Sequence, residues 1–387
     1  MSKLLSQGSF GCVYYPSLSC KGKPEQTKDY LSKLQKKDFN SENEKLIGKK
    51  IIKNIPDYKK HFVPILSYCD INLSEIDSKE LSKCNVVSKN ETMRFELQKM
   101  KYVQSSLLFS FIDNSSNPRK IIFNMIELYS FIIHSIEILA NNQIVHFDLK
   151  NDNILFSLQV RTPLLIDFGI SIDMDKILNP LTRSQYLDNY FYVYAPQYYV
   201  WPLEVHFINY LVHVKPTANL EEIRQLCKKY VTENRGLDVF SENFKKEYYK
   251  KAVQSLSKYA NYTSKDTVIA ELIQHYKTWD NYSISILYLR ILYAIFQGKY
   301  PNNSFIVSFS ELLTLNIHPN PIKRKSLRDS LKIFHKLFYN SKNPENYMKL
   351  LTNFSFDRKI AMKSIKADDT ALEMLYNKHK NNNFKKK

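Results

Sequence analysis

Glycine is scarce in this sequence, with only 7 among 387 residues. No internal repeat is visible either, which argues against a repeat architecture. Three of the glycines, Gly8, Gly11 and Gly169, fall in two short segments, "LLSQGSFGCVYYP" and "LLIDFGIS". Because glycine is used so rarely, we expect these segments to need its small size or its freedom of backbone conformation.

Cysteine is sparse as well, and the chain contains five: Cys12, Cys20, Cys69, Cys84 and Cys227. They are scattered, without CxxC pairs or nearby histidines, so the sequence suggests neither a zinc site nor a disulfide framework. We therefore expect the cysteines to be reduced and mostly structural.

Long apolar runs are missing. No stretch reaches the roughly 18 uninterrupted apolar residues that predict a membrane span. The opening "MSKLLSQGSFG" lacks the apolar core of a signal peptide. Hydrophobic residues make up 44% of the chain and aromatic residues 13%, as in globular proteins. We expect an intracellular protein with no membrane partner.

Acidic residues are outnumbered, with 38 Asp and Glu against 56 Lys and Arg, for a formal net charge of +18. Such a charge fits nucleic acid, membrane headgroups or acidic substrates. However, Lys, Asn, Ile and Tyr are all abundant, as an AT-rich genome produces without selection. We favour that interpretation and do not expect a nucleic-acid partner. The basic tail at about 377–387, "NKHKNNNFKKK", is too polar to fold and is predicted to be disordered.

The apolar pattern changes its period along the chain. Residues 2 to 35 favour strands, including "DYLSKLQ", and a helix is predicted from Ser41, where "SENE" has the form of a capping box. "RFELQKMKYV" (94–103) favours another strand. From residue 121 a helical period predicts a long amphipathic helix, and "ISILYLRILYAIF" (284–296) predicts a buried one.

These elements predict an α+β fold. A small, β-rich domain (1–101) precedes a larger, mainly helical domain (102–387), and their junction near residue 101 is a usual place for a ligand cleft. Residues 205–278, within the second domain, also have helical spacing of apolar residues.

The segment "IVHFDLKNDNILF" places four polar residues between two apolar runs: His146, Asp148, Lys150 and Asn153. Apolar flanks anchor such a loop in a core, so its polar side chains are positioned for chemistry. The frame HxDxKxxN is followed by the "DFG" that begins at Asp167, 19 positions after Asp148. With both motifs in this order, the chain resembles the eukaryotic-type protein kinases from about residue 4 to about residue 330.

The resemblance implies a bilobal kinase-like fold, ATP as phosphate donor and Mg²⁺ as cofactor. Asp148 would accept or orient the proton of the attacking hydroxyl, and Lys150 would stabilise the moving phosphoryl charge. Asn153 and Asp167 would hold the metal, since a hard cation on phosphate oxygens prefers oxygen ligands.

The same resemblance implies where ATP binds. Lys33 matches the lysine that holds the α- and β-phosphates, and Glu44 matches its helix partner unless it only closes the capping box with Ser41. Met100 matches the gatekeeper, followed by a hinge from Lys101 to Val103 against the adenine. The glycine-rich loop, in which Ser replaces the family's first Gly, would contribute Ser6, Gly8, Ser9, Phe10, Gly11 and Val13.

Further matches concern residues that support the loop. Asp280, in "WDNYSISILYL", would hydrogen-bond the backbone of the catalytic loop, or else act as a plain helix cap. Either Gln197 in "YAPQ" or Glu204 in "WPLE" would close the activation segment. We prefer Glu204, with Arg324 as its buried ion-pair partner.

Two features depart from the family. Phe147 stands where the family usually has Arg, which argues against switching by a phosphorylated activation loop. The stretch at about 205–278 is far longer than the family needs, and it is either a docking surface or extra packing.

The sequence therefore predicts a kinase that phosphorylates Ser or Thr in protein substrates, because Lys150 gives the Ser/Thr form of the loop. Its details look most like kinases of large DNA viruses such as iridoviruses, which implies the host cytoplasm or the virion. The alternative is a pseudokinase scaffold acting through its insertion and basic surface. Retention of the metal-binding residues argues against that alternative.

Overall fold

The computed structural model describes residues 2–8, 11–21, 27–88, 94–107, 118–260, 262, 264–299 and 303–339, with short stretches between 345 and 374. The chain divides into two compact units. The first unit comprises Met1–Ser106 and Leu155–Ser171, and the second comprises Leu107–Ile154 and Ile172–Lys387. The sequence division at residue 101 assigned 155–171 to the second domain, whereas the structure groups these residues with the first.

The first unit is built on an antiparallel sheet. Its described strands are β1 (Lys3–Gln7), β2 (Gly11–Tyr15), β3 (Tyr30–Lys36), β4 (Ser67–Ile71) and β5 (Phe95–Lys101), in the order β1-β2-β3-β5-β4. The register places Lys33 in the middle of the sheet, opposite Val13 on β2 and Gln98 on β5. The predicted strands around 30–36 and 94–103 are confirmed.

Shorter elements complete this unit, apart from their end residues Leu107 and Ile154, which belong to the second unit. They are α2 (Ser78–Leu81), α3 (Asn85–Ser88), β6 (Ser105–Leu107), β8 (Ile154–Ser157) and β9 (Pro163–Leu165). The strands β6, β8 and β9 form a three-stranded sheet. Leu165, the last residue of β9, accepts a backbone hydrogen bond from Val63 at 3.1 Å and donates one to His61 at 2.8 Å.

Helix α1 (Phe39–Asn54) begins earlier than the sequence predicted. Its N-cap is Asp38, whose carboxylate accepts from Ser41 N at 3.1 Å, while Ser41 Oγ accepts from Asp38 N at 3.0 Å. The prediction that Ser41 caps the helix was therefore wrong. Two capping boxes overlap in this sequence, and the one that starts at Asp38 forms. Glu44 is released from capping and is buried.

Two disulfides in the first unit correct the prediction that the cysteines are reduced. They join Cys12 to Cys84 and Cys20 to Cys69. The paired residues are 72 and 49 positions apart, and folding brings the Cα atoms of each pair to 5.9 Å. Cys227, in the second unit, is free and buried.

The second unit is mainly helical, with its core around α11 (Trp279–Phe296), which is buried on nearly all sides. Helix α4 (Pro118–Asn141) contacts α11, and Tyr288 on α11 donates a hydrogen bond to the carbonyl of Met125 on α4 at 2.8 Å. Helices α12 (Ser304–Asn316) and α13 (Leu327–Tyr339) pack beside them. Both predicted helices, from residue 121 and over 284–296, are confirmed.

The remaining elements of this unit include a two-stranded ladder, in which β7 (Ile144–Val145) pairs with β10 (Ile172–Asp173). Helices α5 (Met174–Leu178) and α6 (Pro180–Tyr190) follow β10. The stretch 205–278 is helical as predicted, with α7 (Leu203–His213), α8 (Leu220–Glu233), α9 (Glu242–Leu256) and α10 (Lys265–Leu272).

The predicted α+β class is confirmed at this level. Of the helices in the described part of the chain, none has the length and apolar character that crossing a membrane requires.

Candidate functional site

Lys33 is the centre of a charged cluster in the first unit. Its Nζ lies 2.9 Å from Glu44 Oε2 and 3.0 Å from Asp167 Oδ1. Gln35, two residues along β3 and so on the same face of the sheet, donates to Glu44 Oε2 at 3.4 Å. The structure therefore pairs Lys33 with Glu44, as the sequence suggested, and adds Asp167 as a second partner.

Burial and charge act in opposite directions in this cluster. Burial lowers the pKa of Lys33, but the adjacent Asp167 and Glu44 outweigh it and leave that pKa above its ordinary value. Burial raises the pKa of Glu44, and the charge of Lys33 opposes this rise. Lys33 is thus held as a cation, which is the state that binds phosphate oxygens.

The segment from Asp167 to Ser171 is fixed by helix α1. Asn43 Nδ2 donates to the carbonyls of Gly169 at 3.1 Å and Ser171 at 2.7 Å. Asp167 has φ 62°, an uncommon conformation for a residue other than glycine. The ring of Phe168 is buried, edge-on to Phe62. Sequence reasoning missed Asn43, although a polar residue directly before Glu44 on the inner face of a helix was an available signal.

The predicted phosphate loop lies between β1 and β2. Gly8 N donates to Gly11 O at 3.0 Å. A Cβ on Gly11 would lie 2.4 Å from the carbonyl oxygen of Leu34, so only glycine fits there, whereas a Cβ on Gly8 would meet nothing within 4 Å. Ser6 is exposed on β1 and Val13 lies on β2. The predicted site residues Ser9 and Phe10 fall outside the described residues.

The predicted gatekeeper and hinge follow at the end of β5. Met100 is buried in an apolar cluster with Val63, Ile65 and Leu164, and Val103 packs against the same cluster. Lys101 is exposed on β5, opposite Tyr30 in the register.

In the second unit, the loop that begins at His146 is held by Asp280. The Asp280 carboxylate accepts the backbone N–H of His146 at 2.7 Å and of Phe147 at 2.9 Å. Burial raises the pKa of Asp280, while His146 and these two hydrogen bonds oppose the rise. The predicted hydrogen bonding of the loop backbone to Asp280 is confirmed.

Asp148 has a carboxylate with three side-chain partners. Its Oδ2 accepts from Lys150 Nζ at 3.0 Å and from Asn153 Nδ2 at 2.9 Å. Asn153 Nδ2 also donates to the backbone oxygen of Asp148 at 2.8 Å. Oδ1 accepts a hydrogen bond from the hydroxyl of Tyr198. The structure thus brings together all three residues predicted from this loop and adds Tyr198.

Phe147 is held by aromatic packing. It has φ 69°, a strained conformation for a bulky residue. Its ring stacks on Trp201 with the centroids 4.9 Å apart, and its carbonyl accepts from Trp201 Nε1 at 2.8 Å. Sequence reasoning missed both Trp201 and Tyr198. Trp201 lies 54 positions after Phe147 and Tyr198 lies 50 positions after Asp148, in the aromatic stretch "YAPQYYVWPLE".

A buried ion pair closes this stretch. Arg324 binds Glu204 through two hydrogen bonds, Nη1 to Oε1 at 2.5 Å and Nη2 to Oε2 at 2.8 Å. Gln197 instead donates to Glu233 at 2.6 Å. The predicted ion pair between Glu204 and Arg324 is confirmed, and the assignment of Glu204 rather than Gln197 to the end of an activation segment stays a prediction.

The two predicted metal ligands have donor atoms that suit Mg²⁺. Asp167 keeps 27% of its side chain exposed and uses Oδ1 for Lys33. The side chains of Asn153 and Asp167 each contain an oxygen of the kind that a hard cation prefers.

No protein-family model matches the chain, and no curated protein matches it. The function is therefore inferred from these residues.

Proposed function

We propose that this chain is a Ser/Thr protein kinase that transfers the γ-phosphoryl group of ATP to hydroxyls of protein substrates. The observation that carries the proposal is the Asp148 carboxylate, with Lys150 and Asn153 on one of its oxygens. In this proposal residues 1–101 form the β-rich N-lobe of a kinase fold and residues 102–387 form the mainly helical C-lobe.

Asp148 has the chemistry of a catalytic base. A carboxylate accepts the proton of an attacking hydroxyl when it lies within hydrogen-bond reach of that hydroxyl. Lys150 beside it supplies a positive charge for the phosphoryl group as it moves, and Asn153 fixes the orientation of the carboxylate. Asp280 stabilises the loop that carries all three residues.

The Lys33 cluster supports the nucleotide part of the proposal. Lys33, kept cationic by Asp167 and Glu44, would bind phosphate oxygens of ATP. Asp167 and Asn153 would hold Mg²⁺, which when bound neutralises charge on the phosphates. Gly11 allows the backbone of β2 to lie close to β3 at Leu34 and Gln35, the two residues that follow Lys33.

The test is phosphate transfer from labelled ATP with Mg²⁺ to generic protein substrates. Asp148→Asn keeps the size of the side chain but removes its basicity. We expect it to lower transfer by about 10²- to 10⁴-fold, the range for loss of a general base, while ATP binding is retained. Asp167→Ala should lose transfer and also weaken binding of ATP with Mg²⁺.

Asp188→Asn, an exposed change of the same kind on α6, is the matched control and should leave transfer unchanged. Equal transfer by wild type and Asp148→Asn would contradict the proposal. Loss of ATP binding together with transfer in Asp148→Asn would instead indicate misfolding.

One observation favours a second candidate, a pseudokinase scaffold. The side chain of Asp148 is only 2% exposed, with Tyr198 on its Oδ1. A scaffold of this kind would bind ATP, but in the transfer assay wild type and Asp148→Asn would show the same low transfer.

A further inference from the structure

Tyr198 occupies one oxygen of the proposed catalytic base. Its hydroxyl donates to Asp148 Oδ1, while Oδ2 is taken by Lys150 and Asn153. A hydroxyl that donates its proton to Asp148 is also what an acceptor Ser or Thr must supply. The phenol of Tyr198 and the acceptor hydroxyl therefore make the same kind of bond to the same carboxylate.

Because Asp148 is buried, Tyr198 and an acceptor hydroxyl compete for the same carboxylate oxygen. The Asp148 side chain is 2% exposed, and Tyr198 is 3% exposed. An acceptor hydroxyl from another protein therefore cannot approach Oδ1 while Tyr198 keeps this position.

The position of Tyr198 is set by a short turn and by an aromatic neighbour. Tyr198 N donates to Ala195 O at 2.9 Å, and Trp201 N donates to Tyr198 O at 3.3 Å. The ring lies edge-on to Trp201, with the centroids 4.8 Å apart. The same Trp201 holds Phe147, directly before Asp148. Tyr198 is therefore placed by the residues that fix the loop of the base.

We propose that Tyr198 is a positioning residue that competes with the acceptor hydroxyl for Asp148 and must leave Oδ1 before transfer. This inference rests on the proposed kinase function and extends it to selection of the acceptor. In the transfer, the acceptor oxygen bonds to the γ-phosphorus and the bond from that phosphorus to the β–γ bridging oxygen breaks. ADP leaves with the electron pair, and the acceptor proton passes to Asp148.

The test is Tyr198→Phe, which removes only the hydroxyl and retains the ring against Trp201. Transfer to a Ser-containing protein substrate is measured for wild type and variant, with KM determined separately for the acceptor and for ATP. We expect the KM of the acceptor to fall by about tenfold, the factor that a hydrogen bond to a charged group is worth. The KM of ATP should not change.

Tyr199→Phe is the matched control, because Tyr199 is also buried but packs under the guanidinium of Arg290. It should leave both KM values unchanged, and the melting temperatures of both variants check their folding. If Tyr198→Phe does not fold, Tyr198→Met also lacks the hydroxyl and is measured instead.

The outcomes separate this inference from the proposed function. Transfer that depends on Asp148 but has the same or a higher acceptor KM in Tyr198→Phe would overturn the role of Tyr198 and leave the kinase function standing. Phosphate recovered on Tyr198 by mass spectrometry would also overturn it, because Tyr198 would then be an acceptor. If neither wild type nor Tyr198→Phe shows transfer that Asp148→Asn abolishes, the proposed function fails and the inference fails with it. Transfer only in Tyr198→Phe would support both.

Discussion

The first and second units hold their polar clusters by different means. In the first unit the cation Lys33 lies between two carboxylates, and two disulfides join segments of the same unit. In the second unit the carboxylate of Asp280 receives backbone N–H groups, and the loop of Asp148 packs on Trp201. The first cluster therefore depends on charge, within a unit that also has covalent links, whereas the second depends on hydrogen bonds and aromatic packing.

Both units also hold one strained residue in their cluster. Asp167 and Phe147 have φ values of 62° and 69° without being glycine. Such conformations cost about 1–3 kcal/mol each and persist only where neighbouring groups fix them. For Asp167 the neighbour is the charge of Lys33, and for Phe147 it is Asp280 together with Trp201. The comparison therefore predicts that the two strained residues respond to different perturbations.

Asp280→Ala should have the largest effect. It leaves the N–H groups of His146 and Phe147 without their acceptor, and each hydrogen bond to a charged group is worth about 1.5–3 kcal/mol. We expect the free energy of unfolding to fall by about 3–6 kcal/mol, measured by urea denaturation at pH 8. Asp188→Ala, an exposed control, should change it little. A loss no larger than that of the control would show that packing alone holds the loop.

Lys33→Met should destabilise the first unit in a pH-dependent way. At pH 8 we expect a loss of about 3–5 kcal/mol, because Glu44 is left buried with a charge that lacks its cation. Burial already raises the pKa of Glu44, and removing Lys33 raises it further. The folded variant then binds more protons than the unfolded chain above the ordinary carboxyl pKa of 4.5, so its stability falls as pH rises. The loss should therefore be smaller at pH 5.

Urea denaturation of wild type and variant at both pH values measures this difference. The control is Lys37→Met, just beyond the end of β3, because Lys37 pairs with an exposed Asp70. It should have little effect at either pH. A Lys33→Met loss that is equal at pH 5 and pH 8 would contradict the charge-based account of the first cluster.

The disulfides provide a smaller test of the same unit. Replacing Cys20 and Cys69 by Ser together should lower the free energy of unfolding by about 2–4 kcal/mol, through the entropy of the unfolded chain. This pair is chosen because Cys20 is exposed, so the change leaves no buried hole. Peptide mapping that finds Cys20 and Cys69 as free thiols would contradict the pairing.

Burial raises the pKa of Cys227 to about 12, and this thiol should react only after the second unit unfolds.

The sequence predicted the elements and spacings that are set by residues close together along the chain. Strand and helix periods located β3, β5, α4 and α11, and the spacing of Asp148, Lys150 and Asn153 follows from a single loop. The resemblance to kinases supplied Asp280 and the pairing of Glu204 with Arg324.

What the sequence could not predict depends on distant contacts. The disulfide partners are 72 and 49 positions apart and meet only through folding. Tyr198 lies 50 positions from Asp148, and no local pattern links them. The choice of Asp38 over Ser41 as N-cap was a competition between two overlapping capping boxes, which local pattern alone does not decide.

The smallest expected effect separates hydrogen bonding from packing around Phe147. Trp201 and Trp279 are both 1% exposed, and both rings contact Phe147. Trp201 Nε1 donates to the carbonyl of Phe147, whereas Trp279 Nε1 is buried with no hydrogen-bond partner among the described residues. Changing either to Phe removes similar apolar area, so the pair differs in one hydrogen bond. We expect Trp201→Phe to lower the free energy of unfolding by about 1–2 kcal/mol more than Trp279→Phe, measured by urea denaturation. Equal losses would mean that packing, rather than the bond from Trp201, holds Phe147 in its strained conformation.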